Sequence, residues 1–128
     1  MEQAPTSEPE RSPTAYELLI RGRELLRAGH PHQAAIALSR AKLLDPNKAS
    51  IREALARALY QSGRVARARR EFAKAIQIDP VNDYAHFGLA LSCEKTGQRS
   101  RAIAHLKLAI AMRPAIPEYR EALARLSS

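Results

Sequence analysis

One interval governs this chain: small and structure-breaking residues return every 34 positions. Gly29, Gly63 and Gly97 share a column, as do Ala34, Ala68 and Ala102. Leu38, Phe72 and Leu106 form a third column, Ala41, Ala75 and Ala109 a fourth, and Pro46, Pro80 and Pro114 a fifth, with no insertion or deletion between copies. Apolar residues at helical spacing lie on both sides of each glycine, so every copy reads as a helix, a short turn and a second helix. Each copy stops at its proline, because the residue before a proline is pushed out of helical geometry. The copies span 15–48, 49–82 and 83–116.

A packing argument explains the columns. Antiparallel helices that cross closely need small residues at the crossing: Gly22, Ala56 and Ala90 on the first helix, and Ala34, Ala68 and Ala102 on the second. Ala41, Ala75 and Ala109 admit the next helix pair, and Leu38, Phe72 and Leu106 fill the remaining space. One such unit cannot bury its own apolar face, so a stack with a polar end is required. Pro117 opens a last helix to about Leu126, with Leu123 and Ala124 in the Leu55 and Ala56 columns and Glu118, Arg120, Glu121 and Arg125 making the rest polar. Thr14 and Glu17 form a capping box before the first helix, Pro31 suits a first helical turn, and Asp83 is the expected N-cap of its helix.

Before the first repeat, residues 1–14 carry Pro5, Pro9 and Pro13 among Ser, Thr and Glu. Such a segment buries too little apolar surface to offset its ordering entropy, and is expected to be a disordered acidic leader. It has no apolar run and so does not read as a secretion signal. No segment approaches the ~20 apolar residues needed to cross a membrane. Cys93, the single cysteine, excludes an internal disulfide and a cysteine metal cluster, and points to a reducing, cytoplasmic setting. The formal charge of +8 is −2 in residues 1–14 and about +3 to +4 in each repeat. This evenness along the array permits attraction to an acidic partner.

The sequence resembles the tetratricopeptide repeat family over residues 15–116, with 117–128 as the capping helix. The resemblance implies an all-α fold: a right-handed superhelical α-solenoid of three helix-turn-helix repeats plus that cap. The departures are Arg21, where an apolar residue is usual, Arg52 and His86, where a large aromatic is usual, and Arg69 in place of an apolar side chain. They imply a thinner core at those points, with arginine stems covering apolar surface.

In this family the first helix of each repeat lines a concave groove where partner peptides bind. Carried over by column, the groove consists of Tyr16, Leu19, Arg23 and Leu26, then Ser50, Glu53, Arg57 and Tyr60, then Tyr84, Phe87, Leu91 and Glu94, with Glu121 and Arg125 from the cap. Most of the aromatics thus face the groove, and only Phe72, in the core, and Tyr119, on the cap, do not. Tyrosine and arginine are enriched in interface hot spots, and Arg23 and Arg57 in one column suit a carboxylate held by forked hydrogen bonds. The expected partner is a peptide segment with apolar anchors near Tyr84, Phe87 and Leu91 and an acidic group near the two arginines. The family's chaperone-tail clamp needs a lysine and two asparagines, then a lysine and an arginine. Here those columns hold Leu19, Arg23 and Arg57, then Phe87 and Leu91, so only the arginines could serve.

No catalytic constellation is legible among His30, His32, His86 and His105, and no cofactor or metal is implied; His30 and His32 flank a turn, and Cys93 sits in a packing column. The rival reading is RNA binding through Arg64, Arg67, Arg69, Arg70 and Lys74 on the convex face. Glu71 lies inside that stripe, one turn from Arg67. A membrane role would need an apolar face that the core has already used. The reading is an interaction scaffold or adaptor, with self-association open.

Overall fold

The computed structural model describes residues 11–128. The expected disordered leader lies outside the described residues up to position 10. Seven helices, and no strand among the described residues, make up the chain: α1 (Ala15–Arg27), α2 (Pro31–Leu44), α3 (Ala49–Gln61), α4 (Val65–Ile78), α5 (Asp83–Lys95), α6 (Arg99–Met112) and α7 (Pro117–Ser127). None is long and apolar enough to cross a membrane. The molecule is an all-α helical-repeat solenoid.

The turns follow from local chemistry. Gly63 has φ +87°, a left-handed conformation that costs an L side chain energy and glycine nothing. It lets the Gly63 N–H reach the Tyr60 carbonyl at 3.1 Å and the Arg64 N–H the Leu59 carbonyl at 2.8 Å. This is the Schellman pattern that satisfies orphan carbonyls at a helix end. The same two bonds recur at Gly29 and Gly97. At the other junctions Asp45, Asp79 and Arg113 leave helical geometry, with φ −144°, −135° and −137°, as a following proline demands. The Thr14–Glu17 capping box forms, and Arg11 grips the same carboxylate at 2.8 Å. Those hydrogen bonds, with Arg11 foremost, hold the exposed Glu17 carboxyl at about 2. At α5, however, the cap is Asn82, whose side-chain oxygen accepts from the Ala85 N–H at 3.0 Å. Asp83, the expected cap, is already in the first turn and accepts a bond from the Tyr119 hydroxyl at 2.6 Å.

The small columns are buried throughout the repeats: Ala34, Ala68, Ala102, Ala41, Ala75 and Ala109 are fully excluded from solvent, as are Ala56 and Ala90. Ala124, in the matching column of α7, is exposed, because no second helix crosses the cap. Arg21 is exposed on α1, the first helix of the stack among the described residues, where no earlier repeat packs against it. Beyond the turns, Gly88 is a second place where glycine is required: a Cβ there would lie 2.2 Å from the Phe72 ring.

Three expected weak points are filled by polar contacts. Arg52 donates to the Pro46 carbonyl at 2.9 Å and to Glu71 at 3.0 Å. His86 is buried, donates Nε2–H to the Pro80 carbonyl at 2.9 Å and stacks on His105, with the two Nδ1 atoms 2.9 Å apart. Since Nε2 of His86 carries the hydrogen, its Nδ1 accepts from His105. Arg69 reaches the Thr96 hydroxyl at 3.1 Å. Glu71 does not pair with Arg67; Lys42 at 2.8 Å and Arg52 hold it. Burial pushes the Glu71 carboxyl up, but these two hydrogen bonds outweigh burial and leave it below its usual value.

Packing also decides the sides of the stack. α1 touches α3 and α3 touches α5 directly, whereas no comparable contact joins α2 to α4 or α4 to α6. The odd-numbered helices therefore form the tighter, inner layer and the even-numbered helices the splayed, outer one.

Candidate functional site

The inner layer brings part of the expected site together. Arg57, Tyr60, Tyr84 and Leu91 line one small cleft of about 30 Å³, floored by Phe72 and Gly88. Glycine at 88 is what lets the Phe72 ring reach that floor. The Arg57 guanidinium lies 5.3 Å from the centre of the Tyr84 ring, within range for a cation–π contact. Tyr84 meets Phe87 edge-on at 5.9 Å, and Phe87 packs on Tyr119 at 4.8 Å. Lys95 stands over Tyr60 at 5.9 Å.

Glu53 is the electrostatic counterpart of the arginines. Burial raises its pKa, while a long 3.4 Å hydrogen bond from Asn82 and the charges of Arg57 and Arg23 oppose the rise. Arg57 makes no hydrogen bond through Nε, the one buried side-chain nitrogen or oxygen without a partner among the described residues. Leaving such a donor unmet costs about 1–3 kcal/mol. Burial also raises the Tyr84 hydroxyl, against the pull of Arg57.

Other expected residues lie elsewhere. Leu19 and Leu26 are 3% and 7% exposed and belong to the core; direct contact between α1 and α3 covers that face of α1, so neither can anchor a ligand. Tyr16 is 68% exposed and apart from the cleft. Ser50 is half-buried and Glu121 exposed. Glu94 and Arg125 are spent on each other, in a two-pronged ion pair at 2.7 and 3.2 Å.

Tyr119 is the residue that reading by family columns left out. It is 2% exposed and supports Phe87 from behind. Its hydroxyl is held above the ordinary tyrosine value by burial and by Asp83. A signal existed, since Tyr119 stands in the column of the buried Ile51 and Ala85.

Two tetratricopeptide repeat models match the chain, one over residues 59–126 and one over residues 21–83. The chain belongs to the tetratricopeptide repeat family. It is 34% identical over 95 residues to mouse (Mus musculus) Superkiller complex protein 3, an alignment covering 74% of this chain but 6% of that protein. Among solved structures, the first tetratricopeptide repeat domain of Spaghetti (RPAP3), bound to the HSP90 peptide SRMEEVD, superposes with a TM-score of 0.86 at 16% identity, over 89% of this chain and 90% of that one. The second such domain of human RPAP3, in complex with an HSP70 peptide, gives 0.83 at 17% identity over 89% and 95%. At such identities the likeness is one of fold.

Proposed function

We propose that this tetratricopeptide repeat chain is a protein–protein interaction adaptor without chemistry of its own, which takes a peptide segment of its partner along the concave inner layer. The reading rests most on Arg57. Its guanidinium lies beside the Tyr84 ring with Nε unpartnered, and an acidic group of a ligand would pair with that charge. Arg23, whose charge like that of Arg57 acts on Glu53, adds positive charge to the same place, while Tyr84, Phe87 and Leu91 offer apolar contact. The RPAP3 domains that share the fold hold chaperone peptides, which supports a peptide as the kind of partner. The buried, unreactive Cys93 thiol, its pKa raised by burial, suits the cytoplasm.

Selection from a displayed random-peptide library tests this. Retained peptides should combine an aliphatic or aromatic residue with a carboxylate, and Arg23→Ala/Arg57→Ala should bind them at least tenfold more weakly with helicity intact. Retention of the same peptides by the variant within twofold would exclude these arginines as the binding groups.

A further inference from the structure

Charge that is even along the repeats is sharply uneven across the layers. The three outer helices, α2, α4 and α6, carry nine lysines and arginines and one acid, Glu71. The inner helices with α7 carry eight and seven, close to neutrality. Glu71 contributes no exposed negative charge, since its side chain is 12% exposed and its oxygens are bonded to Lys42 and Arg52. Between α2 and α4, where the outer helices splay, a hollow of about 380 Å³ opens. Ala35, Ile36 and Leu59 give it an aliphatic lining, and Arg40, Arg64 and Arg67 stand around it. Ile36 is 65% exposed there.

We infer that this outer hollow is a second binding groove, separate from the concave side, for an acidic segment of a partner protein that seats an aliphatic side chain on the exposed Ile36. The volume falls in the range of side-chain-sized ligand sites. The guanidinium groups around it suit carboxylates held by forked, charge-assisted hydrogen bonds. A peptide fits better than single-stranded nucleic acid, which needs exposed rings for its bases: the sole aromatic of the outer helices, Phe72, is 2% exposed. It also fits better than a bilayer, whose flat surface cannot follow a hollow between two helices. A chain with both sites joins two partners, one on each side.

The test uses the full chain and a labelled ten-residue peptide of alternating leucine and glutamate, followed by fluorescence anisotropy. Polyglutamate of equal length, a polyuridine oligonucleotide and phosphatidylserine-containing vesicles serve as competing probes. The leucine–glutamate peptide should bind, weaken as salt rises, and bind more tightly than the other three. In a background of Arg23→Ala/Arg57→Ala, which removes the inner-layer arginines, Arg40→Ala/Arg67→Ala and Ile36→Asp, all at exposed positions, should each weaken the remaining binding at least tenfold. Absence of binding to the wild type, indifference to the outer variants, or tighter binding of oligonucleotide or vesicle would overturn the assignment.

Discussion

Replacing Gly88 by alanine adds one methyl group where the structure has no room for it. The new Cβ would sit 2.2 Å from two carbons of the Phe72 ring and 2.7 Å from a third, so ring or helix must move by more than 1 Å to restore van der Waals contact near 3.5 Å. Phe72 is 2% exposed and cannot swing outward. Overpacking of this kind costs about 1–3 kcal/mol, while alanine in a helix interior returns at most about 1 kcal/mol relative to glycine. A 2.2 Å approach to a buried ring belongs to the upper half of that range, about 2–3 kcal/mol, so the clash wins by roughly 1–2 kcal/mol, a fall in Tm of roughly 3–8 °C for a domain of this size.

The repeats supply the control. Leu38 and Leu106 stand in register with Ala54 and Ala122, as Phe72 does with Gly88, so the larger side chain faces the smaller partner. Phe72→Leu alone should cost about 1 kcal/mol through the void it leaves. The double variant Phe72→Leu/Gly88→Ala rebuilds the leucine–alanine pairing and should be more stable than the two single effects sum to, by about 1 kcal/mol. Thermal and urea unfolding followed by circular dichroism measures all three. A Gly88→Ala protein as stable as the wild type, or strictly additive effects, would refute the reasoning.

Glu71→Gln should cost about 1–3 kcal/mol, because it leaves the Arg52 guanidinium, whose side chain is 14% exposed, short of its charged partner. Since the native Glu71 carboxyl lies below the ordinary glutamate value, its stabilisation is complete above that ordinary value and is lost as pH falls through the lower native one; the variant's Tm should lack that part of the acid-side decline. His105 has a depressed pKa, caused first by burial and then by His86 and Arg101. Its contribution is therefore intact above pH 6.5 and lost as pH drops through the native value, and His105→Leu should flatten Tm between pH 7.5 and 5.5. Glu53→Gln removes an acid that the charges of Arg57 and Arg23 act on and should tighten binding of an acidic inner-layer peptide by about 1 kcal/mol, roughly fivefold, in a direct titration.

The alanine columns, the turn glycines and the prolines were readable in the sequence because the contacts they make are repeated three times at a fixed interval. Ala68 meets in its repeat what Ala34 and Ala102 meet in theirs, so a period alone reveals the stack and the direction in which small residues point. Contacts made once have no such signature. That Glu71 reaches Lys42 and Arg52 on other helices rather than along its own helix to Arg67, that His86 replaces an aromatic ring by stacking on His105, and that Tyr119 braces Phe87 each depend on long side chains of different helices meeting once. Leu19 and Leu26 passed for groove residues because helix phase gives their direction but not how closely α1 lies against α3. The layer charge was present in the letters and the family resemblance already put the second helices on the convex side, but the hollow that opens between α2 and α4 exists only in their packing.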